Sequence, residues 1–226
     1  MVKLFTDRLI IRDYVIEDLE PLHKLLSDNK VMKNVGLKTK NIKESKEYLL
    51  QAINESLLDD RVIYAFVIEN KFTNEFIGQI DYIVIGATFF EERIHDYISE
   101  PNSPKWVWVR YFINKKHWNK GYATEALKRL IEYAFTEDNV DKIRTSCNKK
   151  NCASEKVMIK SGFIKEKEET IAIYAYEKLL KLTYLPKKLM IRCGFFKIDE
   201  FDAKWDHFQK KEDHVEYGLL KCEWKK

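Results

Sequence analysis

Glycine and proline are both scarce in this sequence. Among 226 residues there are only 7 glycines and 4 prolines. A collagen-like chain or a linker-rich, disordered chain needs these residues in quantity, so both classes are excluded. Hydrophobic residues make up 45% of the chain, which is enough to build a sizeable core. We therefore predict a folded chain of one large domain or two small ones.

Cysteine is also scarce, and no Cys-x-x-Cys pair occurs. The four cysteines are Cys147, Cys152, Cys193 and Cys222. Such scattered spacing fits free thiols in a reducing compartment better than a disulfide framework or a zinc site. Charged residues within positions 3–8 stand where a signal peptide would need its apolar core. We predict no metal site and a cytoplasmic protein.

The sequence lacks both a large charge of one sign and a long hydrophobic run. The 40 Lys and Arg against 36 Asp and Glu leave a net charge of +4, too small to indicate a nucleic-acid or membrane surface by itself. The longest apolar run, residues 62–68, is about a third of the roughly 20 residues that a membrane-spanning helix needs. Any electropositive site must therefore be local.

Hydrophobic periodicity predicts strands that alternate with helices. Predicted strands cover residues 8–12, 62–68, 76–85, 106–113, 142–146 and 215–224, and predicted helices cover residues 16–27, 41–58, 124–135 and 153–161. The strands at 62–68 and 76–85 flank a turn-forming stretch and should pair as an antiparallel hairpin. The pattern indicates an α/β (α+β) fold. Residues 87–104 are predicted as an inserted loop or short helix, and residues 170–212 fit the alternation poorly.

The most informative stretch, residues 112–127, runs from an apolar strand through a basic turn into an amphipathic helix. A helix N-terminus presents unpaired N–H groups and a partial positive charge to an anion. Gly121 would let the backbone approach a ligand closely, and lysines at 115, 116 and 120 add charge. The stretch predicts a phosphate-binding turn, although these residues alone also fit an ordinary strand-to-helix turn with solvated lysines.

Residues 118–126 read Trp-Asn-Lys-Gly-Tyr-Ala-Thr-Glu-Ala. They resemble the acetyl-CoA-binding motif of the Gcn5-related N-acetyltransferases (GNATs), in the Trp-Gly-x-Gly-Tyr-Ala-Thr-Glu-Ala form of the branch that includes the ribosomal-protein N-terminal acetyltransferases. Trp118 replaces the Arg or Gln of the wider superfamily, as is common in this branch. Asn119 stands where the branch usually has Gly, which slightly weakens the expected pyrophosphate contact.

A second match covers residues 151–163, which are similar to the branch pattern Asn-x-x-Ser-x-x-Val-Met-Glu-Lys-x-Gly-Phe, with Ile159 as the main departure. At helical pitch Asn151 and Ser154 lie one turn apart and can face one ligand. Taken singly, they also fit a helix N-cap and a first-turn serine. Residues 6–12 are similar to the branch's Thr-x-Arg-Leu-x-Leu-Arg opening, and residues 76–80 agree within the hairpin.

The resemblance implies one N-acetyltransferase domain over residues 1–226, with a GNAT-like mixed, curved β-sheet flanked by helices and an added segment before the last strand. The strands at 106–113 and 142–146 should splay apart and admit the pantetheine arm of acetyl-CoA, the cosubstrate. The residues that the resemblance assigns to acetyl-CoA are Phe112, Ile113, Asn114, Asn119, Lys120, Gly121, Tyr122, Ala123, Thr124 and Asn151. It implies Ser154 as the acid for the leaving thiolate. Met158 stands where some members carry a tyrosine.

The implied reaction is direct attack by a primary amine, from a small molecule or a protein N-terminus, on acetyl-CoA in a ternary complex. An amine with a pKa near 10.4 is well under a thousandth free base at pH 7, against roughly a tenth for an α-amine near 8. A lysine or polyamine acceptor would therefore need a positioned base. The candidates are Asp81, Glu91, Glu92, His95 and Asp96. None matches a family position, and each is predicted as a solvated surface charge.

Other interpretations remain open. An acetyl-CoA-binding regulatory protein without efficient turnover is the alternative, motivated by Asn119 and by the lack of an identified base. A nucleic-acid module is disfavoured because aromatic residues are not interleaved with the exposed lysines. Residues 170–212 are rich in large apolar side chains, which predicts an added subdomain beside the acceptor channel, with a homodimer interface as the alternative.

Overall fold

The computed structural model describes residues 1–35, 37–59, 61–85, 104–172 and 211–224. Nearly all of the insertion predicted at 87–104 lies outside these ranges. Residues 173–210, which make up most of the added segment predicted at 170–212, also lie outside them. In the ranges just given, no helix combines the length and the apolar composition that crossing a bilayer requires.

The described residues form one mixed sheet with helices on both faces. The strands are β1 (Lys3–Phe5), β2 (Leu9–Asp13), β3 (Ile63–Asn70), β4 (Phe76–Ile85), β5 (Trp106–Ile113), β6 (Lys142–Asn148), β7 (Ile164–Ala172) and β8 (Lys211–Leu220). The α-helices are α1 (Leu19–Leu26), α2 (Asn29–Asn34), α3 (Ile42–Ser56), α4 (Tyr122–Thr136) and α5 (Cys152–Lys160). The strand order is β1-β2-β3-β4-β5-β6-β8-β7. Of the neighbouring pairs, β5 and β6 run parallel and the others antiparallel.

The strands β5 and β6 pair only where they begin. Their register covers Trp106 to Trp108 against Lys142 to Arg144. Beyond this point β5 stays paired with β4 as far as Ile113, and β6 stays paired with β8 as far as Asn148. The two strands therefore separate towards their carboxyl ends, which confirms the predicted splay. Among the described residues, no strand pairs with this edge of β5 beyond Trp108.

Two hydrophobic layers hold the sheet. On one face α4 buries Leu127, Leu130 and Ile131 against strand residues that include Val107 and Val109. On the other face α1 and α3 form a second cluster around Leu22, Leu25 and Leu49, with Phe112 of β5 reaching into it. Successive β5 side chains thus serve opposite layers, as a strand buried on both faces requires. Burying each such side chain contributes roughly 1.5–3 kcal/mol to the stability of the fold, so both layers hold the end of β5 in place.

Several element boundaries differ from those predicted. The strand predicted at 215–224 is β8, which begins at Lys211 and ends at Leu220. After the strand the chain turns, and the Trp224 amide donates to the Leu220 carbonyl. Its partner β7 extends to Ala172, so both ends of the segment predicted at 170–212 belong to strands. Helix α4 begins at Tyr122 instead of residue 124. Residues 16–18 form a 3₁₀ turn before α1 starts at Leu19.

Candidate functional site

The turn after β5 folds back onto the end of its own strand. The Asn114 amide donates to the Ile77 carbonyl at 2.9 Å, and the Asn114 side chain accepts from the Lys116 amide at 3.3 Å. The indole Nε1 of Trp118 donates to the Ile113 carbonyl at 2.7 Å. These contacts fix the path of the turn without any ligand. They also occupy the Ile113 carbonyl and the Asn114 amide, which are backbone groups of two predicted cofactor residues.

Two residues of this turn have left-handed backbone conformations. Asn119 has a φ of 59° and Gly121 a φ of 81°. This region favours glycine and tolerates asparagine better than most other residues, which explains why Asn119 fits where the family usually has glycine. Gly121 is the N-cap of α4 and makes no side-chain cap hydrogen bond. The first N–H groups of α4, from Tyr122 to Thr124, therefore have no cap side chain in front of them, as an anion-binding helix N-terminus requires.

A cluster of Thr6, Arg8 and Glu125 ties α4 to the turn between β1 and β2. The Thr6 hydroxyl donates to Glu125 Oε1 at 2.6 Å, and the Arg8 Nε donates to Oε2 at 2.7 Å. Arg8 Nη1 also donates to the Lys120 carbonyl at 3.1 Å. Burial would raise the pKa of Glu125, but the bonds from Thr6 and Arg8 outweigh it and hold that pKa below its ordinary value. The matched segments 6–12 and 118–126 thus meet in space.

The charges at the turn are unevenly neutralised. Lys116 pairs with Glu75 at 2.5 Å, whereas Lys115 lies beside Lys30, whose proximity lowers the pKa of Lys115. Two ammonium groups held close together favour a bound anion. His117 is buried, and desolvation lowers its pKa, so the imidazole is neutral at pH 7. The positive potential therefore comes from the lysines and the helix N-terminus.

Asn151 and Ser154 occupy the start of α5. The Asn151 Oδ1 caps the helix by accepting from the Ser154 amide at 3.2 Å, and its Nδ2 donates to the Asn34 carbonyl at 3.0 Å. One residue on, Glu155 accepts from the Tyr217 hydroxyl of β8 at 2.6 Å. The simple N-cap role is thus present, and it links α5 to the end of α2. These bonds fix where the Ser154 hydroxyl lies.

Sequence reasoning did not identify Tyr111, which contacts Ser154. Its hydroxyl lies 2.7 Å from Ser154 Oγ and 3.1 Å from the Ser154 carbonyl oxygen. Burial raises the pKa of Tyr111 above its ordinary value, so the phenol is neutral at pH 7. Tyr111 belongs to the part of β5 beyond the β6 pairing. The structure therefore brings the open end of β5 and the start of α5 together.

The interpretation of Asp81 as a solvated surface charge is wrong. Asp81 on β4 is fully buried, and Arg110 Nε of β5 donates to its Oδ1 at 2.8 Å. Gln79 donates to the other carboxylate oxygen at 3.4 Å. Burial raises the pKa of Asp81, and Arg110 opposes that rise. The other candidate bases, residues 91, 92, 95 and 96, lie outside the described part of the chain.

The predicted site residues lie on neighbouring elements. Phe112 and Ile113 end β5, Asn119 to Thr124 form the turn and first turn of α4, and Ser154 lies in the first turn of α5. Lys120 is exposed. Tyr122 packs under Arg8, and the guanidinium carbon lies 4.6 Å from the centroid of the Tyr122 ring. The site thus combines a helix N-terminus without a capping side chain, a strand end separated from β6 and a hydroxyl pair.

The chain matches a family model and several curated proteins. The family model described as an acetyltransferase (GNAT) domain matches residues 8–164. The uncharacterized N-acetyltransferase p20 of Bacillus licheniformis is 28% identical over 166 residues, which cover 74% of this chain and 84% of that protein.

Solved structures share this fold. The ribosomal-protein-S5-alanine acetyltransferase from Vibrio fischeri aligns with a TM-score of 0.66 at 17% identity, covering 100% of both chains. The spermidine N-acetyltransferase from Vibrio cholerae, in complex with CoA and spermine, aligns with a TM-score of 0.61 at 16% identity, covering 96% of this chain and 98% of its own. These likenesses confirm the predicted GNAT-like fold. Because the family model matches well over half of the chain, the chain belongs to the GNAT family and is an acetyltransferase.

Proposed function

We propose that this acetyltransferase moves an acetyl group from acetyl-CoA to a primary amine by direct attack in a ternary complex. The observation that carries the proposal is the gap where β5 leaves β6 after Trp108. The turn that leads to the uncapped N-terminus of α4 follows directly from this separated end of β5, and the Ser154 hydroxyl contacts Tyr111 in the same part of the strand. A cosubstrate with an anionic diphosphate at one end and a reactive thioester at the other matches this arrangement.

In this proposal the diphosphate binds at residues 119–124, where helix N–H groups and the lysines at 115 and 120 favour negative charge. The pantetheine arm then lies along the end of β5, at Phe112, Ile113 and Asn114, beyond the point where the strand has separated from β6. Backbone N–H groups aimed at the thioester oxygen would stabilise the charge that develops during attack. Asn151 contributes by holding the start of α5 against Asn34.

Ser154 is proposed to give a proton to the leaving thiolate. A thiol has a pKa near 8.5, so its departure as a thiolate costs little at neutral pH and the acid contributes modestly. The step forms a C–N bond and breaks the C–S bond. The sulfur takes the Ser154 proton, the serine recovers one from solvent, and the nitrogen loses one to solvent.

The class of amine that can act as acceptor depends on which group removes the proton from the amine. Asp81 is buried and paired with Arg110, so it is a poor base for an incoming ammonium group. Roughly a tenth of an α-amine is already free base at pH 7, so an α-amine needs such a base least. We therefore favour the α-amine of a peptide or small molecule over a polyamine or lysine side chain. The free thiols of Cys147, Cys152 and Cys222 support a reducing, cytoplasmic location for this reaction.

A panel of acceptors tests the proposal. Release of CoA from acetyl-CoA is followed with short peptides bearing a free N-terminus, the same peptides with a blocked N-terminus and an internal lysine, and spermidine. We expect release with the free α-amine and little with the other two. Tight acetyl-CoA binding with no release for any amine would instead establish the alternative, a regulatory protein without turnover.

Replacing Asn151 and Ser154 separately should give different kinetic effects. Ser154→Ala removes a group used only when the thiolate leaves, so we expect kcat to fall about tenfold with KM for acetyl-CoA unchanged. Asn151→Ala loses the α5 cap and the Asn34 contact, so we expect mainly a higher KM. Steady-state kinetics on the best acceptor measure both. If both substitutions raise KM alone, Ser154 is not the acid.

A further inference from the structure

The hydroxyl groups of Tyr111 and Ser154 form a pair across the end of the gap. Tyr111 comes from the half of β5 that pairs with β4 but not with β6, and Ser154 is the third residue of α5. The two oxygens are 2.7 Å apart, while the Tyr111 oxygen is 3.1 Å from the Ser154 carbonyl. Both distances permit a hydrogen bond, so the Tyr111 hydroxyl has two acceptors available.

Tyr111 has one hydroxyl proton, and the acceptor of that proton decides whether the Ser154 proton is free to reach another group. If that proton goes to the Ser154 carbonyl, the serine proton is directed at the Tyr111 oxygen and is occupied there. If it goes to Ser154 Oγ, the serine proton is free to point elsewhere. The 2.7 Å contact is a hydrogen bond in either arrangement, so the carbonyl contact decides: at 3.1 Å it is longer than the usual O–H···O range, which makes Ser154 Oγ the better acceptor for the Tyr111 proton. Without this partner, a serine in a helix commonly turns its proton back to a carbonyl one turn earlier.

We propose that Tyr111 is a positioning residue for acetyl transfer: by donating to Ser154 Oγ, it leaves the Ser154 proton directed at the departing thiolate. This inference rests on the proposed function, since it concerns the same acid. Tyr111 keeps its own proton throughout the reaction, because its burial disfavours the charged phenolate. A hydroxyl that accepts a hydrogen bond is also a better donor, which strengthens the serine as an acid.

Four proteins test this: the wild type, Tyr111→Phe, Ser154→Ala and the double variant. Tyr111→Phe keeps the ring and removes the hydroxyl. We expect it to lower kcat about fivefold, the rate equivalent of one ordinary hydrogen bond, with KM for acetyl-CoA unchanged. The double variant should be no slower than Ser154→Ala, because Tyr111 acts only through Ser154.

Tyr82→Phe is a matched control. It also removes a buried tyrosine hydroxyl with a short hydrogen bond, here 2.6 Å to Asp138. It should lower the melting temperature and leave kcat at the wild-type value. Equal losses of kcat in Tyr82→Phe and Tyr111→Phe would mean that any buried hydroxyl has this effect, and the proposal would be wrong.

Two further results would overturn the proposal. One is a Tyr111→Phe variant with wild-type kcat, and the other is a double variant slower than Ser154→Ala by the full Tyr111→Phe factor. If the wild type releases no CoA with any amine, the proposed function is wrong whatever the variants do. The melting temperatures of the four proteins then test whether the Tyr111 and Ser154 hydroxyls interact. Shifts that do not add support the hydroxyl contact, and strictly additive shifts contradict it.

Discussion

Gly121→Glu should weaken acetyl-CoA binding by more than about 100-fold, a loss of about 3 kcal/mol. Gly121 has a φ of 81°, and a Cβ added there would lie 3.4 Å from the Arg8 guanidinium. Gly121 is the N-cap of α4, so in the proposed site the new carboxylate would stand where the diphosphate approaches the first helix N–H groups. Two like unit charges 4 Å apart repel by about 4 kcal/mol at an effective dielectric constant near 20, which is enough for the expected loss. Titration calorimetry with acetyl-CoA measures it.

Gly162→Glu is the matched control. Gly162 also has a positive φ, 92°, and nothing lies within 4 Å of an added Cβ. It follows the last turn of α5, so this variant carries similar backbone strain and the same new charge away from the turn at 119–124. We expect it to bind acetyl-CoA as the wild type does. A folded Gly121→Glu protein with unchanged affinity would falsify the binding site.

Arg110→Met should destabilise the fold by about 3–5 kcal/mol at pH 8, the usual cost of leaving one partner of a buried ion pair alone. Asp81 has no exposed surface, and Arg110 donates to it at 2.8 Å. Methionine has a similar reach and packs among apolar groups, so the lost charge dominates. The free energy of unfolding from urea titrations, compared with the wild type, measures the effect.

The loss should shrink as the pH falls. Burial raises the pKa of Asp81 in the folded protein, and removing Arg110 takes away a group that opposes this rise. Folding then favours the protonated acid, so the penalty is complete above the raised pKa and is relieved as the pH falls towards the ordinary value for aspartate. Adding Asp81→Asn to Arg110→Met should recover most of the stability at pH 8. An equal loss at pH 5 and pH 8, with no recovery, contradicts this account.

The parts of the fold that were predictable have strong local patterns. Helix α3, Ile42–Ser56, lies inside the predicted 41–58 because its apolar residues repeat at helical spacing over four turns. The hairpin of β3 and β4 was recognisable from two β-branched, aromatic runs around a turn. By contrast, β1 has three residues and α2 has six, too few to display a period. Helix α2 depends instead on the Asp28 cap and on burial of Val31 and Met32.

The parts of the site that were missed depend on contacts between distant segments. Tyr111 and Ser154 are 43 residues apart, and only the splay of β5 towards α5 brings their hydroxyls together. Asp81 was predicted as a surface charge because its partly buried partner, Arg110, lies on another strand. The two face each other in the β4–β5 register, which no local pattern reveals. The turn at 119–124 could be predicted because its glycine, the lysines at 115, 116 and 120 and the helix start lie close together in sequence.

The most direct test of the account follows the acetyl group itself. The wild-type protein is mixed with acetyl-CoA labelled in the acetyl carbonyl and with a peptide bearing a free α-amine, and mass spectrometry locates the label over time. The account predicts labelled amide on the peptide and free CoA in equal amounts, with no labelled protein at any time. Label that stays on CoA, or that accumulates on the protein before reaching the peptide, would contradict direct attack in a ternary complex.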